Sequence, residues 1–354
     1  MSDYAYNFWL GGNGVDTGLG GDPANSDFTD ADNWSLGVAP LSSHILVFSK
    51  YARVVPSGYT GDYHTIGNHY NCYTNTATTL TVGGIIVDGY TGKIGANDAN
   101  ETVTPLKIAV AAGGEVRIRG ESVVHLTVNS SGVADSSIPL VVFDSEAGEL
   151  NLRSDVNSAG ELNIFDKVVC LNAGTLNVIK ESTVGCAITS IYSFGTTAIS
   201  IDEDCYRVKA GGSPIDLYVY GGTVASDSRF NCIENYGATI HIGKTDSLAS
   251  IDCDVSSLIN YLGQTVWRTT GTISYIECNG GEIEVTGDGQ KTIGPSGLGS
   301  ETVELLINSG KVDFSNCKGR VNFATNAVYE LRGGELVPPI GYKGNFGVTY
   351  AETY

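Results

Sequence analysis

Basic residues are scarce in this chain: 20 lysines and arginines stand against 39 aspartates and glutamates, a formal charge of −19 at pH 7. A surface that acidic repels phosphate backbones and anionic lipid, which argues against nucleic-acid and membrane-surface roles. Methionine occurs once, proline nine times, and charged residues are only 17% of 354 positions. Long solvated helices draw on Lys, Glu, Arg, Ala and Leu, and the composition is poor in them. No apolar run approaches the roughly 18 residues of a membrane-spanning helix. The opening Met1-Ser2-Asp3-Tyr4-Ala5-Tyr6-Asn7 has neither the basic start nor the apolar core of a secretory signal. The chain is therefore expected to be made and folded in the cytoplasm.

Several chemical signatures are missing as well. The eight cysteines stand at 72, 170, 186, 205, 232, 253, 278 and 317, the nearest two 16 apart. With no Cys-x-x-Cys, zinc and dithiol redox chemistry have no signature. The histidines at 44, 64, 69, 125 and 241 show no metal-ligand spacing, and His241, between Ile240 and Ile242, reads as a packing or surface residue. There is no Gly-x-Ser-x-Gly elbow, phosphate loop or dinucleotide fingerprint. No cofactor is expected.

What the chain does have is glycine, 46 residues, about twice the usual share, and 42% hydrophobic residues, enough to build a core. The glycines lead a recurring Gly-x-apolar-x-apolar unit that starts at Gly114, Gly148, Gly160, Gly174, Gly281 and Gly310, with a truncated copy at Gly334. Strict alternation behind a glycine is the mark of a half-buried strand entered from a turn. The intervals from 148 to 174, 281 to 310 and 310 to 334 are 26, 29 and 24 residues. Cys205, Cys232, Cys253 and Cys278 follow one another at 27, 21 and 25. Repeats in the twenties are what a solenoid makes when equivalent positions stack on successive coils. The fold expected is all-β, a right-handed parallel β-helix with an N-terminal β-rich cap region, the alternative being a β-sandwich of short strands. The four cysteines are expected to be reduced, inward-facing rungs of one ladder.

The expected organisation is a Trp/Gly-rich cap or attachment segment at 1–50, an irregular β region at 51–105, the β-helix at 106–337 and an aromatic tail at 338–354. Residues 190–201 and 265–275 read as insertions between better copies of the repeat. Pro338-Pro339 closes the pattern, since proline cannot donate to a sheet ladder. The tail then places Tyr342, Phe346, Tyr350 and Tyr354 about four residues apart, suited to docking at an interface.

Phe8-Trp9-Leu10-Gly11-Gly12, followed by Asn33-Trp34-Ser35-Leu36-Gly37-Val38-Ala39-Pro40, resembles the Trp-x-Gly … Asn-Trp-x-x-Gly-x-x-Pro opening of β-helical bacterial surface proteins, autotransporter-type repeat proteins among them, and of β-helical phage virion proteins. The resemblance covers about 40 residues and brings no catalytic residue with it. It implies a surface or virion protein with Trp9 and Trp34 as structural anchors, Trp34 plugging the first coil. The chain lacks a signal peptide and a C-terminal membrane barrel, which favours a particle component assembled in the host cytoplasm.

Two chemistries deserve a test. Gly11-Gly12-Asn13-Gly14-Val15-Asp16 matches part of a calcium-binding nonapeptide, with Asp16 as the candidate ligand, but only one copy is present. Asp202-Glu203-Asp204 and Asp252-Cys253-Asp254 are the densest acidic clusters of the repeat region. Residues two apart on a strand share a face, so Asp252 with Asp254, or Asp202 with Asp204, could work as an acid–base pair in a glycosidase or lyase. The favoured function is a non-enzymatic virion component, a capsid decoration or fibre-like homotrimer bound to a capsid or other virion protein. The alternatives are a carbohydrate-binding or polysaccharide-cleaving, tailspike-like β-helix on a host-surface glycan, and a bacterial adhesin. An aromatic cluster beside two carboxylates in a groove would favour the glycan reading, and a flat, groove-free helix with apolar ends the virion-decoration reading.

Overall fold

The alternating stretches become short strands, and nearly every strand pairs in parallel with an equivalent strand further along the chain. The structure, a computed structural model, describes residues 4–11, 25–49, 71–73, 80–95, 106–110, 114–128, 137–154, 164–180, 186–205, 214–244, 252–294, 303–323, 328–340 and 348–349. Among them the fold is all-β, with one single-turn 3-10 helix at Ala31–Asn33. No helix of the described residues is long and apolar enough to cross a membrane. The chain divides into two compact units, Met1–Ile188 and Thr189–Tyr354.

In the first unit one parallel ladder runs through Ala5–Phe8, His44–Ser49, Gly84–Asp88, Val116–Arg119, Val141–Asp144 and Ile164–Cys170. Its register stacks Asn7, Leu46, Ile85, Val116, Val141 and Val168 in a single column, all fully buried. Two residues on, Phe48, Val87, Ile118, Phe143 and Cys170 form the next buried column. The period-2 alternation of a strand thus becomes, rung upon rung, a wall of apolar side chains. Parallel pairing therefore begins at Ala5 and not at 106: the N-terminal segment supplies rungs of the same ladder.

Trp9 and Trp34 are fully buried and joined by an antiparallel bridge. Their rings meet edge to face, centroids 5.1 Å apart, and Phe28, Phe48 and Tyr90 close the cluster at 5.3–5.8 Å. Both indole N–H groups are satisfied: Trp9 Nε1 donates to Tyr90 Oη at 3.1 Å and Trp34 Nε1 to the Phe28 carbonyl at 2.8 Å. Buried indoles need such partners, and the pairing ties Trp9 and Trp34 to each other beside the ladder.

The second unit carries three parallel registers. One stacks Ile191, Leu217, Ile233, Leu258, Ile276, Leu305 and Tyr329. Another stacks Ile199, Val224, Ile240, Thr265, Ile283, Val312 and Leu336. The third stacks Ile215, Phe230, Val255, Ile273, Ile293 and Phe323. The 13-residue strands Phe230–Ile242 and Val255–Trp267 run through all three registers and turn between the first two. Residues 190–201 and 265–275, expected as insertions, are ordinary members of these ladders.

The corner between the first two registers explains the leading glycines. Gly222, Gly263, Gly281, Gly310 and Gly334 all have φ between 64° and 81°, a left-handed conformation that costs a side-chain-bearing residue dearly. Each also lies against the rung before: a Cβ on Gly310 would stand 2.6 Å from the Gly281 carbonyl oxygen, and one on Gly334 2.5 Å from that of Gly310. Inside the corner, Asn235 and Asn260 are completely buried. Asn235 Nδ2 donates to the carbonyls of Ala238 and Gln264 while its Oδ1 accepts from the Ala238 N–H at 2.8 Å, and Asn260 Nδ2 donates to the Gly280 carbonyl at 2.7 Å. Two buried amides thereby satisfy backbone groups that the turn takes out of the ladder.

Candidate functional site

At the same corner the side chain just before the glycine turn points outward, and on four successive rungs it is aromatic: Phe194, Tyr220, Tyr236 and Tyr261. Their rings stack in one row with centroids 5.0, 4.4 and 4.7 Å apart and planes 24°, 3° and 7° from parallel. The step is the spacing of neighbouring strands, so the ladder itself sets the stack. Tyr192 and Tyr218 make a second stacked pair two residues back, at 4.7 Å. Phe194 and Tyr220 are 52% and 45% exposed, and Leu262, beside the row, 60%. Large apolar side chains this exposed and this close together mark a surface that meets something.

Beyond Tyr261 the row changes from rings to amides. Asn279, Asn308 and Arg332 occupy the following rungs, each one residue past the paired Cys278, Ile307 and Leu331. Asn308 Nδ2 donates to Asn279 Oδ1 at 2.7 Å, and both amides donate to Glu277 Oε1, at 3.0 Å from Asn279 and 3.3 Å from Asn308. Arg332 closes on Glu330 with two bonds of 2.7 and 3.0 Å.

Carboxylates line the row on its strand side. Tyr236 Oη donates to Glu234, and Tyr275 Oη donates to Glu277 Oε2 at 2.7 Å. Glu234 and Glu277 share one outward column with Ile259 between them, so their backbones lie two rungs, about 10 Å, apart. Asp216 lies on the neighbouring column opposite Cys232 and accepts from Asn231 Nδ2 at 2.8 Å. These acids hold the phenols in their protonated form. The bond to Glu234, then burial, pushes Tyr236 far up; burial, then the bond to Glu277, does the same for Tyr275; and burial with Asp216 next to it takes Tyr218 to about 12. The face thus presents phenol hydroxyls among carboxylate oxygens.

The residues singled out from sequence fall elsewhere. Asp252 and Asp254 do emerge on the outer side of one strand while Cys253 is fully buried between them. Each is bonded into the next rung: Asp252 Oδ1 accepts from Thr270 Oγ1 at 2.9 Å, and Asp254 Oδ1 accepts from the Thr272 N–H at 2.8 Å, with Arg229 Nε 3.7 Å from its other oxygen. Asp202 is bound by Lys244 Nζ at 2.5 Å, and Asp204 sits in a left-handed turn at φ 57°. These aspartates tie rungs and turns together and stand apart from the aromatic row.

The four cysteines do not form one ladder. All eight thiols are free, and Cys205, Cys253 and Cys278 are fully buried, but Cys232 lies on the outward column opposite Asp216 and Ser257. Cys278 stacks on Asn260 and under Ile307. Asp16 and the tail residues Tyr342, Phe346, Tyr350 and Tyr354 lie outside the described residues.

The aromatic row escaped the sequence reading, yet it left a trace: an aromatic directly before glycine at Phe194-Gly195, Tyr220-Gly221 and Tyr236-Gly237, and one residue removed at Tyr261-Leu262-Gly263. Comparison with protein-family models, curated proteins and solved structures finds no match to this chain, so function is argued from this geometry.

Proposed function

We propose that the chain is a right-handed parallel β-helix belonging to a phage particle or similar surface, and that it binds carbohydrate without cleaving it. Parallel ladders in three registers support the β-helix, and right-handed crossovers are the rule between parallel strands of one sheet. The observation that carries the function is the row of four outward rings at 4.4–5.0 Å steps beside Glu234 and Glu277. Sugars are recognised by an apolar aromatic surface together with a few placed hydrogen-bonding groups, and this face offers both. The non-enzymatic reading is supported by Glu277, whose oxygens accept from Tyr275, Asn279 and Asn308, and by Asp252 and Asp254, which are bonded to Thr270 and Thr272. The particle setting and a homotrimer rest on the resemblance of the opening segment.

The test is a glycan array probed with labelled protein, comparing the native chain with Tyr220→Ala and Tyr261→Ala. Specific signal that both substitutions abolish, at unchanged circular dichroism, supports the reading. No signal from the native chain, or signal indifferent to both, removes it.

A further inference from the structure

The charge and hydrogen-bond inventory of this face goes further than carbohydrate in general. Resting on the reading above, we propose that its ligand is an uncharged oligosaccharide lying along the row, rung to rung.

The charge argument excludes one class. Asp216, Glu234, Glu277 and Glu330 line the face, and among the described residues the one cation of the row, Arg332, is held by both oxygens of Glu330. A uronate, sialate or sulfate would approach several like charges, with no other guanidinium among the described residues of the row to receive it.

Bonding capacity favours the other class. Carboxylates only accept hydrogen bonds, and uncharged sugars are rich in hydroxyl donors. Glu277 already receives Tyr275, Asn279 and Asn308. Glu234 differs: Tyr236 takes Oε2, while among the described residues Oε1 has only the weak Cys232 Sγ donor at 3.9 Å. Glu234 Oε1 is therefore the acceptor best placed for a ligand hydroxyl, and the hydroxyls of Tyr220 and Tyr261 can both donate and accept.

Direction follows from the stacking. Rings within 7° of parallel at 4.4 and 4.7 Å cover one another's flat faces and present edges and hydroxyls outward. A pyranose then has no single ring to sit on. It gains apolar contact only by spanning edges, and the continuous track of edges runs from Phe194 to Tyr261. A rung is about as tall as one sugar unit is long, so successive sugars meet successive rings.

The experiment is calorimetric titration of the native chain with malto-, cello-, laminari- and manno-oligosaccharides of two to six units, and with hexagalacturonate, at low and high salt. The expected result is binding of at least one uncharged series, with affinity rising from two units to four, and no binding of hexagalacturonate at either salt. Glu234→Gln, which keeps an acceptor but removes its charge, should weaken the uncharged ligand about ten-fold, as loss of a hydrogen bond to an ionised group does. Hexagalacturonate binding more tightly than every uncharged probe overturns the class while leaving carbohydrate recognition standing, and affinity already saturated at two units overturns the direction. If no probe binds, or if Tyr220→Ala and Tyr261→Ala leave binding unchanged, this inference and the carbohydrate reading fall together.

Discussion

Two aromatic groups, one in each unit, are built in opposite ways. In residues 1–188, Trp9, Phe28, Trp34, Phe48 and Tyr90 turn inward and meet mostly edge to face around one point. In residues 189–354, Phe194, Tyr220, Tyr236 and Tyr261 turn outward and stack nearly flat in a line. A cluster drawn from several segments can choose its angles, and edge-to-face contact suits the ring quadrupole. A row with one ring per rung has its geometry imposed by the strand spacing and stacks flat. Packing energy is concentrated in the first arrangement, and accessible surface is kept in the second.

The sharpest way to break the contrast is to truncate one ring of each kind. Trp34→Ala should cost about 3–5 kcal/mol of stability, the range of large core truncations, read as a lowered urea midpoint. A loss under 1 kcal/mol would show that the inner cluster is not a plug. Next comes the corner: Gly281→Ala forces a β-carbon into a left-handed site against the Gly263 carbonyl and should cost about 1–3 kcal/mol. The same change at Gly221, which has no positive φ and whose Cβ would stand 3.1 Å from the Gly195 carbonyl oxygen, should cost less.

Acid should separate the units too. Burial, with Arg153 nearby, lowers the His125 pKa to about 4, against 6.5 for the free side chain. A depressed folded value means that the unfolded chain binds the proton first. The contribution of neutral His125 is therefore complete above about pH 6.5 and is lost as pH falls toward 4. His125→Gln should flatten the stability–pH curve in that window, and an unchanged slope would dismiss the assignment. The Tyr236 and Tyr261 phenols, shifted upward, add no slope there. A smaller effect than that of Trp34→Ala is expected from Tyr236→Ala, which removes two stacks worth about 0.5–1.5 kcal/mol each, with ligand binding lost well before stability.

The frame was legible in the amino-acid order because it rests on period-2 alternation and on glycines that no other residue replaces. The motifs led by Gly281, Gly310 and Gly334 are the strands Glu282–Val285, Lys311–Asp313 and Glu335–Val337, paired in that order. The cysteine spacing misled because a near-coil interval says nothing about parity. An offset of one residue along a strand turns a side chain from the inner face to the outer, which is how Cys232 came to lie outside while Cys253 is buried. The aromatic row was harder to read, since outward positions answer to no burial pattern and carry only the glycine that follows them.

The corner glycines also bear on how such a chain can change over generations. Nearly any amino-acid replacement at Gly281, Gly310 or Gly334 adds a side chain where the preceding rung leaves no room, so selection should hold these positions still. The residue just before each turn points into solvent and is bound by no such demand: along one column it is already phenylalanine, tyrosine, asparagine or arginine. Variation is thus channelled onto a single exposed line, and the molecule can alter what it meets without rebuilding what it is.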